Sequence, residues 1–281
     1  MTDKNFCIFN GEIFKTSELS NQFDLSNFQS ITFYTEIRLI DTTPLFLNEH
    51  FDYLLATHNF YKIALPTKLD IEKAKTLITR LLNVNKVYKG GCAKLEFFYN
   101  KEKKMCDYLI FIHPLHSNQF AVKENGISIT SFKERICSDL PIRNIKSRFD
   151  IIKHHSRHNC DNQGFDECFY YSNELTICSS SGGQVAVVVN DTIYFQNNTA
   201  DLQFLILATK LIDILNLNKI CYKTNIEITE NVLLNADEVF LIDDIQGIRW
   251  VQKFKNRRYI NKTSKQLTSL LNDSVKNKKS N

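Results

Sequence analysis

The sequence is short of several things, and each shortage excludes something. It has one Trp and four Pro among 281 residues, and no low-complexity run, so no Pro-rich linker or stalk is present. No two of its eight cysteines (Cys7, Cys92, Cys106, Cys137, Cys160, Cys168, Cys178 and Cys221) form a C-x-x-C pair, and several sit in apolar runs. That usage excludes a disulfide framework or a zinc ribbon and suits reduced thiols. No apolar run is long enough to cross a membrane, and Met1-Thr2-Asp3-Lys4-Asn5 contains no apolar signal core. The net charge of +4 is too small to point to nucleic acid, and its excess is clearest in Lys276-Asn277-Lys278-Lys279, read as a solvated tail. These absences lead to the expectation of a soluble, cytoplasmic globular protein with neither a nucleic-acid nor a membrane partner.

What is present is apolar and aromatic. A hydrophobic share of 43%, with 21 Phe and 11 Tyr, is enough for a sizeable core rich in strands. Residues 31–40 (ITFYTEIRLI) alternate as a long strand does. Residues 47–61 carry Phe51, Leu54 and Leu55 at helical spacing, with Asn48 as expected N-cap and Glu49 in the first turn. A second amphipathic helix is expected over 69–84, and strands over 93–99 and 108–112. His113-Pro114-Leu115-His116-Ser117-Asn118 breaks the pattern and reads as a linker. Beyond it, strands are expected at 126–129, 168–171, 185–189, 192–195, 220–222 and 239–242, and helices at 151–160 and 202–215. The expected organisation is α+β in two domains, 1–117 and a larger 118–281. A cleft between them would take a small molecule.

Arg143-Asn144-Ile145-Lys146-Ser147-Arg148-Phe149-Asp150 places one lysine between apolar Ile145 and basic Arg148, just before an expected helix. An amine in such surroundings loses its proton more easily, and the neutral amine is the form that attacks carbonyls. A solvated loop lysine is the plainer reading of these residues alone.

Three motifs, taken in order, resemble the class IV pyridoxal-phosphate enzymes, the fold shared by branched-chain and D-amino-acid aminotransferases and aminodeoxychorismate lyase. They are Thr43-Pro44-Leu45-Phe46-Leu47-Asn48-Glu49-His50-Phe51-Asp52, then Asn144-Ile145-Lys146-Ser147, then Ala236-Asp237-Glu238-Val239-Phe240-Leu241 with Ile245-Gln246-Gly247-Ile248. Asp166-Glu167 before a strand is a weaker fourth. The resemblance implies a two-domain D-amino-acid aminotransferase-like fold, with Lys146 in the larger domain as Schiff-base lysine and proton shuttle. It also implies pyridoxal 5'-phosphate as cofactor, an amino-acid-like substrate and a homodimer.

The same resemblance marks departures. The family's phosphate-binding arginine falls on Tyr53, which offers a neutral hydrogen bond in place of a charged, bidentate one. The glutamate that keeps the ring nitrogen protonated falls on Ser179, in Cys178-Ser179-Ser180-Ser181-Gly182-Gly183-Gln184. The helix start whose amides face the phosphate falls on Leu202-Gln203-Phe204-Leu205-Ile206-Leu207, without glycine or hydroxyl. Asp243-Asp244 stands where the family offers a threonine to that phosphate. Catalysis is thus expected at Lys146, with Tyr53 and Ser179 as the cofactor-side residues. The expected activity is aminotransferase or lyase chemistry on an amino acid or aminodeoxychorismate. The alternative is a degenerate homologue that has lost the cofactor and acts as a binding or regulatory protein.

Other constellations read as structural. His154 and His158 share a helix face at i, i+4, but no third ligand accompanies them, so no metal site is expected. Gly182-Gly183 reads as a tight turn rather than an anion cradle. Arg249-Trp250, Arg143 and Arg148 are candidates to border the cleft or receive a carboxylate, against an equally good surface or packing role.

Overall fold

The computed structural model describes residues 5–21, 31–121, 123–135, 145–147, 150–196 and 206–277. Arg143 and Arg148 lie outside the described residues, as does the part of the apolar 202–215 run before Ile206. The chain forms two compact units. The first comprises Met1–Gln119 with Ile145–Phe149; the second comprises Phe120–Asn144 with Asp150–Asn281.

In the first unit the strands are β1 (Phe6–Phe9), β2 (Glu12–Lys15), β3 (Thr32–Ile40), β4 (Thr43–Pro44), β5 (Gly91–Asn100) and β6 (Met105–Pro114). They make an antiparallel sheet in the order β2-β1-β6-β5-β3-β4. Two helices, α1 (Leu47–Tyr61) and α2 (Ile71–Asn85), pack against it. Alternation along β3 sends Phe33, Ile37 and Leu39 into the core with no exposed surface, where Phe33 stacks on Phe97 with ring centroids 5.3 Å apart.

The start of α1 differs from expectation. Asn48 lies inside the helix; the residue before Leu47 is Phe46, in the left-handed region (φ 54°), and no side chain caps the end. Helix α2 follows the usual rule, with the Asp70 side chain accepting the Lys73 N–H at 2.7 Å. The first unit extends to Gln119 because Arg38 on β3 donates to the carbonyls of Ser117 and Gln119, at 2.5 and 3.2 Å.

The second unit contains β7 (Ile127–Arg135), α3 (Ile151–Gln163), β8 (Glu167–Tyr171), β9 (Thr176–Ser180), β10 (Gln184–Val189) and β11 (Thr192–Gln196). These are followed by α4 (Ile206–Leu217), β12 (Tyr222–Ile226), β13 (Ile228–Thr229), α5 (Glu230–Asn235), β14 (Glu238–Asp243), β15 (Gly247–Phe254), β16 (Arg257–Arg258) and α6 (Lys262–Asn277). Among the described residues the strands run β12-β11-β10-β14-β15-β7-β8-β9-β13, with β16 paired to β15. Strand β7 is parallel to both neighbours, while β14 is antiparallel to β10 and β15.

Central β14 is buried on both faces, which is why Val239-Phe240-Leu241-Ile242 is continuously apolar rather than alternating. Around it Ile127, Phe169, Val185, Val187 and Phe254 form the core. Helix α3 opens on Asp150, whose carboxylate accepts the Lys153 N–H at 2.9 Å, and closes on left-handed Gly164 (φ 71°). Helix α6 takes in Lys276, which the sequence assigned to a solvated tail. Among the described residues no helix is long and apolar enough to cross a membrane.

Candidate active site

The first unit holds Lys146 against the edge of β3 that faces away from β5, the edge whose far end, Leu39 and Ile40, pairs with β4. Strand β3 pairs with β5 on one side; on the other, the Tyr34 N–H donates to the Lys146 carbonyl at 2.9 Å. The Lys146 N–H in turn donates to the Tyr53 hydroxyl at 2.9 Å, and Thr32 Oγ1 lies 3.2 Å from Ser147 Oγ. Lys146 therefore groups with the first unit, not with the second half where the sequence placed it. Both polar groups of its backbone are fixed from β3 and α1, and the residue is half-buried.

Tyr53 is on the inner face of α1, with His50, Leu54 and Thr57. Buried His50 has its Nδ1 2.7 Å from Thr35 Oγ1, with the proton's owner set by the tautomer. Burial first, and then the positive charge of Lys146, push the His50 imidazole down to about 3, so it is neutral at physiological pH. The sequence reading did not single out His50 or Thr35. Their signal was a polar pair, one on a strand and one on a helix, both at inward-facing positions.

Ser179 belongs to the second unit, on β9, half-buried, with its hydroxyl 3.5 Å from the Ser180 carbonyl. The turn after it is tightly built. Ser180 Oγ donates to the Gly183 carbonyl at 2.6 Å, and Ser181 Oγ donates to the Glu167 carboxylate. Arg249 donates to Glu167 Oε1 at 2.7 Å and to the Gly182 carbonyl at 2.5 Å. A Cβ on Gly182 would stand 2.0 Å from Arg249 Nη2, so this glycine is required by the guanidinium and carboxylate packed over it. Arg249 is thus part of a buried structural ion pair. Trp250 packs over Gly126 and donates to the Lys123 carbonyl at 2.9 Å. His154, His155 and His158 are exposed on α3, His155 lying 3.6 Å from Glu134. Among the described residues no three metal-ligating side chains come together.

One backbone amide of α4 is met by a buried carboxylate. Asp244, just past β14 and 7% exposed, accepts the Leu207 N–H at 3.0 Å. Its neighbour Asp243 is spent on the β14–β15 turn, accepting the Ile245 and Gln246 N–H groups at 3.0 and 2.6 Å.

The resemblance implies pyridoxal phosphate, and three positions that it assigns to that cofactor carry no positive charge here: Tyr53, whose hydroxyl accepts the Lys146 N–H, Ser179, and Asp244, whose carboxylate accepts the Leu207 N–H.

No protein-family model matches the chain, and no curated protein matches its sequence. Solved structures do match. Branched-chain aminotransferase from Thermobaculum terrenum, in its PLP form, superposes with a TM-score of 0.81 at 14% identity, covering 98% of this chain and 95% of that one. The fold is that of the class IV aminotransferases. The Escherichia coli branched-chain aminotransferase gives 0.79 at 14% identity, over 94% and 92%. A candidate 4-amino-4-deoxychorismate lyase from Legionella pneumophila gives 0.78 at 16%, over 88% and 92%. At such identities the class IV likeness is one of backbone path, and the side chains above decide the chemistry.

Proposed function

We propose that this class IV-fold protein binds a small amino-acid-like molecule at Lys146 without pyridoxal phosphate. It would be the degenerate, cofactor-free alternative among the readings of the sequence. The observation that carries this is the Tyr53 hydroxyl, which accepts the Lys146 N–H at the position the resemblance assigns to a phosphate-binding arginine. A residue engaged by the backbone in this way positions the lysine and supplies no charge to a dianion. The ligand class follows from the neighbours, whose names speak of branched-chain amino acids and aminodeoxychorismate. The same reading expects a soluble, cytoplasmic homodimer. The reducing setting suits the seven free cysteines among the described residues.

A second reading keeps the cofactor: an aminotransferase or lyase with Lys146 as its Schiff-base lysine. It is favoured by one observation, that the lysine to which the resemblance assigns the Schiff base has its backbone fixed at both N–H and C=O. One experiment separates the two. The visible spectrum is recorded with and without added cofactor, for wild type and Lys146→Ala, beside a thermal-shift screen of amino acids and 2-oxo acids. The cofactor-free reading expects no cofactor-dependent band, and a ligand shift that Lys146→Ala loses. A band in wild type that is absent from Lys146→Ala establishes the second reading instead.

A further inference from the structure

We infer that Cys160 and Cys168 form a dithiol site, which a peroxide closes to a disulfide that fastens the last turn of α3 to β8. The inference is independent of what Lys146 binds.

The two thiols come from different elements and meet in a closed pocket. Helix α3 ends on left-handed Gly164, and the Phe165 N–H returns to the Cys160 carbonyl at 3.0 Å. The chain then runs through Asp166, whose N–H donates to the Ser128 carbonyl at 3.0 Å, straight into β8. This short return lays Cys168 beside Cys160. Their side chains are hydrogen-bonded to each other, and both are buried in one cluster with Phe132 and Tyr170. The Cys168 sulfur is also hydrogen-bonded to the side chains of Ser156 and Ser181. Sulfurs already in contact need only side-chain rotation to reach bonding distance.

Cys168 reacts first, because its polar neighbours favour its thiolate. The thiolate displaces hydroxide from hydrogen peroxide and becomes a sulfenic acid. The Cys160 thiolate then attacks that sulfur, displaces hydroxide again and forms the disulfide. The protons given up by the thiols turn both hydroxides into water, so one peroxide is reduced as the thiol pair is oxidised. The product is neutral, which suits a pocket walled by Phe132 and Tyr170. Burial outweighs the polar neighbours and holds both thiols above their usual range, Cys160 pushed up to about 12. Little thiolate is therefore present at neutral pH, and closure speeds up about tenfold per pH unit above it.

The test treats the folded full-length protein with hydrogen peroxide, blocks the remaining thiols with N-ethylmaleimide in denaturant, and maps disulfides by peptide mass spectrometry. The expected product joins Cys160 to Cys168, forms about tenfold faster for each pH unit, and disappears on reduction with dithiothreitol. Oxidised wild type should melt higher than its reduced form, because the cross-link restricts the unfolded chain. Cys160→Ala and Cys160→Ser should show no such rise. Cys221→Ser, which removes an exposed thiol, should keep it.

Three results would overturn the inference: pairing of either cysteine elsewhere, a bond that forms only in denaturant, or folded wild type whose Cys221 oxidises fully while Cys160 and Cys168 remain thiols. The mapping on wild type decides the matter even if a Cys160 variant folds poorly.

Discussion

Glu238 and Asp244 stand at the two ends of one buried strand, and each caps a helix. Glu238 opens β14 and accepts the Thr263 and Ser264 N–H groups and the Ser264 hydroxyl, at 2.6, 3.2 and 3.0 Å, at the start of α6. Asp244 follows the last residue of β14 and accepts the Leu207 N–H on α4. A strand buried on both faces thus fixes two helices through its terminal carboxylates, and α4 and α6 also touch each other.

Removing the Glu238 carboxylate should therefore loosen α6. With Glu238→Ala three donors lose their acceptor in a site where Glu238 is 2% exposed and Ser264 fully buried. A loss of about 2–4 kcal/mol is expected, from roughly 1–3 kcal/mol for each unsatisfied buried group with partial relaxation. Urea unfolding measures it, and Glu238→Gln, which keeps an acceptor, should lose markedly less.

Gly182→Ala should act through a different pair. The new Cβ would meet Arg249 Nη2 at 2.0 Å and Glu167 Cδ at 2.5 Å, neither of which can stay in place. Pushing these two side-chain ends aside overpacks the site and strains the ion pair, at a cost of about 1–3 kcal/mol. The cause is separable from mere crowding. In a double-mutant cycle, Gly182→Ala added to Arg249→Met should cost less than Gly182→Ala alone, and equal costs would rule the ion pair out as the cause.

These carboxylates also explain what could be read from the sequence. The motifs that carried the resemblance, Asp166-Glu167 and Asp237-Glu238, hold the fold together. Asp166 accepts from Ser128, Glu167 pairs with Arg249, Asp237 accepts the Asn190 N–H, and Glu238 caps α6. The architecture was legible because each acidic pair stands directly at the start of a strand that it anchors. The site was less so. The contact between Tyr53 and Lys146 joins residues 93 apart, and no local pattern announces it. Strand β9 was hidden because its β-formers, Thr176 and Ile177, lead straight into a serine run. Helix α6 was overlooked because its inward face mixes Leu267, Leu271 and Val275 with buried Ser264 and Thr268, which dilutes the apolar period.

Tyr53→Phe tests the positioning role directly. It removes the acceptor of the Lys146 N–H and keeps the ring that α1 buries. A stability loss of about 1–2 kcal/mol is expected, and any ligand shift that depends on Lys146 should weaken. Lys146→Ala keeps that same backbone hydrogen bond, so it should abolish the ligand shift with a smaller loss of stability. Equal stability losses in the two variants would contradict a role for Tyr53 in holding the backbone.

The last prediction concerns pH. Burial and then the Lys146 charge depress the His50 imidazole from 6.5 to about 3, and burial lowers His58 to about 4. Both histidines are neutral in the folded protein and protonate more readily once unfolded. Between their folded and unfolded values the unfolded chain therefore binds more protons, and stability rises with pH. Their contribution is complete above pH 6.5 and is lost progressively as the pH falls towards 3–4, with a limiting slope of about 1.4 kcal/mol per pH unit for each histidine. Urea midpoints between pH 7.5 and 4.5 should show this fall, and His50→Asn should remove about half of the histidine-dependent slope, because one titrating group of two is gone. Lys146→Met makes the test specific to the site. Without the lysine charge the His50 value should move up towards 6.5, read as a shifted imidazole titration by NMR. A His50 titration that ignores Lys146→Met would place the lysine charge too far away to act on this histidine.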